Sequence, residues 1–163
     1  MTGVYVCSLI VNEPQSIPAD RAYHVVRFPF GSAESYDDHG MHQTAQPDGH
    51  TVTDWRRDDR SGLIWPAVDG WGELHALMYW GDGDYSEVRD RFVRDPLSLS
   101  TGYDSTCTED HPPTPGGQYR AKSWGIFVHP GTPIGLLVTH TGSGAVDLTF
   151  AEFKLVIHPV EDA

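Results

Sequence analysis

The 163-residue sequence has few cysteines, few basic residues and no long apolar run, and each shortage excludes a class of protein. Two cysteines, Cys7 and Cys107, are too few for a disulfide framework or a zinc cluster. We expect free, buried thiols, and a single bridge between the two stays open. Lys and Arg number 11 against 23 Asp and Glu, so the formal net charge is −12. A chain this acidic repels phosphate backbones and anionic lipid surfaces, and we expect no nucleic acid partner.

Long hydrophobic segments are also missing. The sequence contains no run of 18 apolar residues, so we expect no helix inserted in a membrane. The apolar run at residues 4–11 lacks a preceding Lys or Arg and ends in Asn-Glu-Pro. This pattern is unlike a signal peptide and predicts a first strand. The length fits a single domain over residues 1–163 with a substantial core.

The last third of the chain shows the strand pattern most clearly. Apolar side chains alternate from Trp124 to Val128 at the period of two that a strand imposes. Pro130-Gly131 predicts a tight turn. Residues 134–140, apolar at adjacent positions, predict a strand covered on both sides. A second turn and a third apolar segment then predict an antiparallel meander.

In the third apolar segment, which begins at Val146, the apolar side chains change from one face of the strand to the other. Leu148 and Phe150 share one face of a strand, whereas Phe153 and the apolar residues after it share the other. A slip of one residue turns every later side chain to the wrong face. The sequence therefore predicts a bulge or bend near Ala151-Glu152.

Two stretches are predicted to be long irregular loops. Residues 31–54 and 97–122 have few apolar side chains and many turn-forming residues, with a sharp turn expected at Pro47-Asp48-Gly49. Loops this long are usually functional or are ordered by a neighbour. The charged run RRDDR after Trp55 is interpreted as a solvated surface.

Short strands and one helix are predicted around these loops. Residues 22–30 predict a short strand, and residues 61–80 predict two short strands joined by a hairpin-like turn at Asp69-Gly70. Residues 85–94 predict a helix of about two turns, because apolar and oppositely charged residues recur four apart. This inventory predicts an all-β, single-domain β-sandwich or jelly roll with long loops and at most one short helix.

Histidines and carboxylates form two clusters with metal-ligand chemistry. His39, His42 and His50 offer ligands for a transition metal. Nine histidines in an acidic chain produce such clusters by chance, so we interpret these as loop histidines without a metal. The acidic turn at residues 82–84 lacks the EF-hand spacing and is interpreted as a hydrated turn.

No spacing in the sequence specifies a reaction. A jelly roll rich in histidine invites comparison with metal-dependent cupin enzymes, but their His-x-His motif is absent from the sequence, and only single strand histidines, His129 and His140, support that alternative. Ser143 lacks the Gly-x-Ser-x-Gly context of a hydrolase nucleophile. We expect a protein that is not an enzyme and has no cofactor.

Four segments resemble a known group of proteins in their overall texture. They are residues 21–42 (RAYHVVRFPFGSAESYDDHGMH), 60–66 (RSGLIWP), 84–99 (DYSEVRDRFVRDPLSL) and 116–142 (GGQYRAKSWGIFVHPGTPIGLLVTHTG). They are similar to small β-rich virion proteins of tailed phages that infect actinobacteria, generally described as minor tail or virion structural proteins. The resemblance implies a many-copy virion component of the tail, baseplate or capsid surface, assembled in the host cytoplasm.

The resemblance also implies how the protein acts. We expect a symmetric homo-oligomer that contacts other virion proteins through its two long loops. Met41, His42, Tyr103 and Tyr119 are the candidate interface residues, because aromatic residues and methionine are enriched at interfaces. A carbohydrate- or receptor-binding module, with a host-surface glycan as ligand, and a cupin-like metal enzyme are the alternatives.

Metal removal should leave the protein folded, because the histidine cluster lies in a predicted loop and the sequence has no structural zinc spacing. Thermal unfolding with and without EDTA measures this. A midpoint lowered by about ten degrees or more in EDTA would contradict the prediction, since an incidental surface ion contributes far less.

Overall fold

Alternating apolar side chains along the longest strands decide the architecture. In the computed structural model, which describes residues 3–160, every second side chain of Gly70–Trp80 is buried. A strand with one apolar face must cover that face with a second layer. The described residues do so by packing two antiparallel sheets face to face, which confirms the predicted all-β sandwich.

Along residues 3–160 two 3-10 turns, Gly31–Ala33 and Asp59–Gly62, accompany ten strands. They are β1 (Tyr5–Val11), β2 (Gln15–Ile17), β3 (His24–Val25), β4 (Tyr36–Asp37), β5 (Gly70–Trp80), β6 (Val88–Arg94), β7 (Asp104–His111), β8 (Gln118–Val128), β9 (Ile134–His140) and β10 (Val146–Pro159). The larger sheet has six strands in the order β4-β1-β10-β5-β8, with β2 also paired to β10. The smaller sheet has four, in the order β3-β9-β6-β7.

Consecutive strands near the end of the chain alternate between the sheets. β8 and β10 belong to the larger sheet and β9 to the smaller one, so the predicted meander is wrong. The turn at Pro130-Gly131 is confirmed, with Gly131 at φ +85, but it carries the chain across the sandwich. β9 is buried at every position, as predicted, and such a strand needs cover on both faces. Ile134, Leu136 and Val138 face the main core. On the other face Leu137 packs with Val25 and Val93, and Tyr23 and Leu97 lie against them.

Three phenylalanines join the two sheets at the centre of the core. Phe153 of β10 stacks on Phe92 of β6 with ring centroids 5.9 Å apart, and Phe28 lies 6.3 Å from Phe153. All three side chains are fully buried. Each aromatic side chain removes on the order of 150 to 250 Å² from water, so this cluster is a large share of the apolar burial.

The predicted bulge in β10 is present, two residues before the expected position. The register with β5 shifts between Leu148 and Phe150. Ala151 then faces the core together with Phe153 and the alternate residues that follow, while Phe150 turns away from it. The expectation that Phe150 shares the face of Leu148 is therefore wrong, because the bulge precedes it.

A buried ion pair also crosses the sandwich. Lys122 of β8 places its Nζ 2.6 Å from Oδ1 of Asp90 on β6, and each side chain is only 1% exposed. Lys122 also donates to the carbonyl oxygen of Cys107, and His111 Nε2 lies 3.2 Å from the other Asp90 oxygen. Removing one member of such a pair leaves a buried charge and costs several kcal/mol, so the pair fixes the register between the sheets.

The predicted helix at residues 85–94 and the predicted loop at residues 97–122 are both wrong. A spacing of four does not distinguish a helix from a strand, and a polar composition does not distinguish a loop from an edge strand. Residues 85–94 form no helix; they contain β6, in which Val88, Asp90 and Phe92 face the core. Residues four apart lie on one face of a strand as well as of a helix. Residues 97–122 form no single loop, since they contain β7 and the start of β8. β7 is polar because it is the edge strand of the smaller sheet.

The region before β5 differs from its prediction in the same way. Residues 61–80 contain one long strand in place of two, and no hairpin turn forms at Asp69-Gly70, because the chain bends at Ala67 and Val68 and Gly70 is the first residue of β5. Ile64 instead bridges to Ile134. The strand predicted at residues 22–30 shortens to β3.

The long loop at residues 31–54 is largely irregular, as predicted. It contributes only β4, which pairs with the edge of β1. The turn at Pro47-Asp48-Gly49 is present, with Gly49 at φ +95 and its N–H donating to the Gln46 carbonyl. The charged run that follows is less solvated than expected, because Arg60 is largely buried in an ion pair with Asp48 at 2.8 Å.

Both cysteines are free, as expected, and Cys7 is fully buried while Cys107 is partly exposed. Among residues 3–160 the structure has no helix of the length and apolarity that crossing a membrane requires.

Replacing Leu148 by Asp should abolish folding, whereas Asp147→Asn should change little. Leu148 is buried and Asp147, the next residue, is exposed on the opposite face of β10. An unpaired buried carboxylate costs several kcal/mol, which is comparable to the whole stability of a domain. Urea unfolding and soluble yield measure both variants. Similar behaviour of the two would show that the faces of β10 are assigned wrongly.

Candidate functional site: the exposed face of the larger sheet

The face of β5 and β8 that points away from the core is aromatic. An antiparallel sheet with one face in the core normally presents polar side chains on the other. Here Tyr119 is 65% exposed, Trp71 47% and Phe127 41%, and Tyr79 lies half-buried beside them. We call the outward residues Trp71, Leu77, Tyr79, Tyr119, Ala121 and Phe127 the aromatic face.

The register between β5 and β8 brings these side chains into rows. Trp71 pairs with Phe127 at one end of the ladder, and Tyr79 pairs with Tyr119 at the other. The tyrosine rings meet edge to face, with centroids 4.5 Å apart at 66°. Trp71 and Phe127 do the same at 6.3 Å and 68°. Edge-to-face pairs are favourable, so the rings are held in place by the sheet itself.

Two further contacts fix the orientation of the rings. The Tyr79 hydroxyl donates to the carbonyl oxygen of Gly116 at 3.1 Å. The Trp71 indole lies across β8 at Gly125, where an added Cβ would overlap the ring. Glycine is therefore required at this position for the indole to lie flat against the strand.

A shallow depression of about 480 Å³ separates the two aromatic pairs. Across it His75 Nδ1 lies 2.8 Å from the Ser123 hydroxyl. The depression is lined by His75, Leu77, Ala121, Ser123, Glu152 and Lys154.

The charged side chains on this face occur in opposite pairs. Lys154 Nζ lies 3.7 Å from a Glu152 oxygen, and His158 Nε2 lies 3.4 Å from a Glu73 oxygen. The face therefore carries little net charge, although the whole chain has a formal charge of −12.

Two of the predicted interface residues lie inside the protein. Met41 and His42 are buried, so neither side chain is available to a partner surface, and the prediction fails for them. His42 Nε2 donates to the Ser61 carbonyl at 2.6 Å and Nδ1 lies 3.0 Å from the Glu34 carboxylate. Its ring also stacks on Phe30 at 4.2 Å. These contacts anchor the long loop to its own domain, which is why it needs no neighbour to order it.

The other two predicted residues are exposed but lie apart. Tyr119 belongs to the aromatic face, whereas Tyr103 precedes β7 and its hydroxyl accepts from Arg91 of the smaller sheet at 3.1 Å. The two tyrosines lie on different sheets of the sandwich, and the structure does not bring them into one patch.

The histidine cluster predicted from sequence spacing does not converge. His39 stacks on Tyr5 at 4.1 Å, and His50 Nε2 lies 2.7 Å from the Asp58 carboxylate. Within the part of the chain that the structure describes, no three His, Cys, Asp or Glu side chains are placed to hold a metal.

The strand histidines of the cupin alternative are also separate. His129 Nδ1 lies 2.5 Å from the Asp69 carboxylate at the surface. His140 is buried, and its Nε2 lies 2.9 Å from the Ile17 carbonyl oxygen.

Sequence reasoning missed most of the aromatic face. It assigned residues 61–80 to two short strands without saying which side chains face out. The available signal is that β5 and β8 carry aromatic or apolar residues on both faces of each strand. Trp71 lies on the outer face of β5 and Trp80 on its inner face, and Phe127 and Ile126 are placed in the same way on β8. A strand that is apolar at both parities needs cover on both faces.

Comparison with known proteins identifies the fold alone. No protein-family model and no curated protein matches the sequence. Among solved structures, murine APRIL superposes with a TM-score of 0.63 at 11% identity, covering 96% of this chain and 100% of that one. The globular domain of zebrafish complement 1qA gives 0.59 at 10% identity, over 98% and 100%. Eiger TNF from S. frugiperda gives 0.53 at 11% identity, over 99% and 97%. The chain is thus a jelly-roll β-sandwich similar to those of TNF and C1q proteins.

Gly125→Ala should move the Trp71 indole while costing only about 1 kcal/mol of unfolding free energy, because an exposed ring is free to rotate away from the new methyl group. The indole N–H signal of Trp71 in an NMR spectrum, assigned with a Trp71→Phe variant, measures the movement. Gly144→Ala, at a loop position with open space around it, is the control. An unchanged Trp71 signal would contradict the described contact.

Proposed function

We propose that the chain is a non-enzymatic assembly module that associates with copies of itself, in a closed symmetric oligomer, through the aromatic face. One observation carries the proposal: large apolar rings on two adjacent strands are exposed together on a single surface. Contiguous exposed apolar patches of this kind mark interaction sites in proteins. Aromatic residues are also the residue class most enriched in interface cores.

The charge distribution of the chain favours a second copy of the same chain as the partner that covers the aromatic face. Two copies with a formal charge of −12 each repel one another over most of their surface. This repulsion is reduced at the aromatic face, since Glu152 is paired with Lys154 and Glu73 lies beside His158. A cationic partner would instead be attracted to the acidic remainder of the surface.

The position of β8 also supports contact at this face. β8 is an edge strand of the larger sheet, and Tyr119 and Phe127 lie on it. An exposed edge strand offers unpaired backbone groups that promote aggregation unless it is covered. A neighbouring copy packed on the aromatic face would border β8 and restrict access to that edge.

The groups with nucleophilic chemistry are engaged structurally, in keeping with a role that is not enzymatic. Burial raises the pKa of the Cys7 thiol well above its usual range. Burial also raises the pKa of the Cys107 thiol, although the Lys122 charge opposes this. The Ser143 hydroxyl donates to the Asp84 carboxylate in a surface turn. Both thiols are therefore protonated near neutral pH, and a thiol is a weaker nucleophile than a thiolate.

Membership of a phage virion remains a prediction that rests on the sequence resemblance. Mass spectrometry of purified particles, with immunolabelling to place the chain on tail or capsid, tests it. The assembly proposal does not depend on that outcome.

Carbohydrate binding is the second candidate, favoured by the surface around Trp71. Its exposed indole has the flat apolar surface on which sugar rings stack, and Glu73 and His158 provide hydrogen-bonding groups nearby. Stacking of a sugar on Trp71 requires no second copy. The mass measurement below therefore separates the two candidates.

Tyr119→Glu should convert the oligomer to an 18.1 kDa monomer, because it places a charge within the proposed contact. Light scattering after size exclusion measures the mass over a range of concentrations. Tyr103→Glu is the matched control, since it adds the same charge at an exposed tyrosine of the other sheet. A wild-type chain that stays monomeric at all concentrations would overturn the proposal. An oligomer disrupted by Tyr103→Glu and not by Tyr119→Glu would place the contact on the smaller sheet.

A further inference from the structure

The outward face of the smaller sheet carries a depression with basic walls, in a chain that is otherwise strongly acidic. Its volume is about 200 Å³. Arg21 and Arg89 are both part of its lining. Glu87 is the carboxylate that lines it, so the local charge is positive in a protein with a formal charge of −12.

The floor of the depression contains a hydroxyl without a partner. Thr139 of β9 pairs directly with Arg89 of β6, so the two side chains lie next to each other on one face. Thr139 is only 6% exposed, and its Oγ1 makes no hydrogen bond to any of residues 3–160. A buried polar group left unpaired costs free energy, and in native proteins it usually indicates a bound water, ion or ligand.

The remaining groups around the depression are already engaged. The Thr141 hydroxyl accepts from the backbone N–H of Ser86 and of Glu87. His140 accepts the Gly142 N–H at Nδ1, and its Nε2 lies 2.9 Å from the Ile17 carbonyl oxygen. The donors free to act on a ligand are therefore those of Arg21, Arg89 and Thr139, together with the Tyr23 hydroxyl, which also has no hydrogen-bond partner among residues 3–160.

The walls are held in place by neighbouring contacts. Tyr23 forms one wall, and the Arg91 guanidinium lies over its ring, 3.6 Å from the centroid. Arg89 is oriented by Glu87, whose carboxylate lies 2.9 Å from a terminal guanidinium nitrogen. Asp110 of β7 pairs with Arg89 on the next strand but does not line the depression.

We propose that this depression binds a small oxyanion, with Arg21 and Arg89 supplying the charge and the Thr139 hydroxyl a third donor. Guanidinium groups match the geometry of sulfate, phosphate and carboxylate oxygens through paired N–H donors. The volume of about 200 Å³ is sufficient for one such group. Glu87 competes with the ligand for Arg89, which sets the affinity in a moderate range.

The test is an NMR titration of the ¹⁵N-labelled full chain with sodium sulfate, sodium phosphate and sodium acetate, each against sodium chloride at equal ionic strength. The three arms separate tetrahedral from carboxylate oxyanions. We expect saturable shifts at the amides of Arg21, Arg89 and Thr139. Shifts that grow linearly and equally in chloride would mean an adventitious ion only and would overturn the proposal.

Variants test the assigned donors. Arg21→Gln and Arg89→Gln should each weaken binding at least about five-fold, since each removes a charge-assisted hydrogen bond. Glu87→Gln should tighten it by removing the competitor. Arg57→Gln, at an arginine whose side chain is 88% exposed, should leave it unchanged.

Thr139→Val separates ligand binding from a structural role. It should weaken oxyanion binding while leaving the thermal midpoint of the ligand-free protein unchanged or higher, because it removes an unpaired buried hydroxyl. Unaltered affinity in both Arg21→Gln and Arg89→Gln would refute the site. A lower ligand-free midpoint for Thr139→Val would show that the hydroxyl is already satisfied by water.

Discussion

The packing of Phe153 against Phe92 and Phe28 is the contact on which the rest of the structure depends. Phe153 lies on β10, which has β1 on one side and β5 on the other in the larger sheet, and Phe92 lies on β6 of the smaller one. Side chains along a strand alternate with a period of two. Fixing which residues face this cluster therefore also fixes which residues of β5 and β8 face away. The aromatic face is in this sense a consequence of the core.

Polar groups add specificity to that apolar packing. The Lys122–Asp90 pair is buried between the sheets, where an unpaired charge is very costly, so alternative registers of β8 against β6 are strongly disfavoured. Because Lys122 faces the core, Tyr119 and Phe127, which lie an odd number of residues away along β8, face outward. A low charge at this face within an acidic chain then leaves one surface where copies approach with little repulsion.

Sequence patterns predicted the fold class, the buried β9 and the need for a bulge in β10, because these depend on the local alternation of apolar residues. The patterns failed where two structures share one spacing. Val88 and Phe92 lie four apart, which suits a helix face and a strand face equally, and only pairing with β7 and β9 decides. The exchange of strands between sheets depends on contacts far apart in the chain, and local turn chemistry at Pro130-Gly131 cannot report it.

The candidate site was harder to predict than the fold for a related reason. Met41 and His42 are residue types common at interfaces, but Met41 is part of the main core and His42 is held inside by Glu34, Ser61 and Phe30. No spacing in the sequence reveals these contacts. Tyr119 is exposed, and its role as an interface residue stays a prediction. Its partner ring, Tyr79, becomes evident only when β5 and β8 are placed in register.

The most direct test of the account is hydroxyl-radical footprinting of the wild-type chain over a range of protein concentrations. The central claim is that the aromatic face is buried against another copy. Oxidation of Trp71, Tyr119 and Phe127 should fall as the measured mass rises, while oxidation of Tyr103 stays constant. Equal oxidation of Tyr119 at low and high concentration, in a sample whose mass has increased, would contradict the claim.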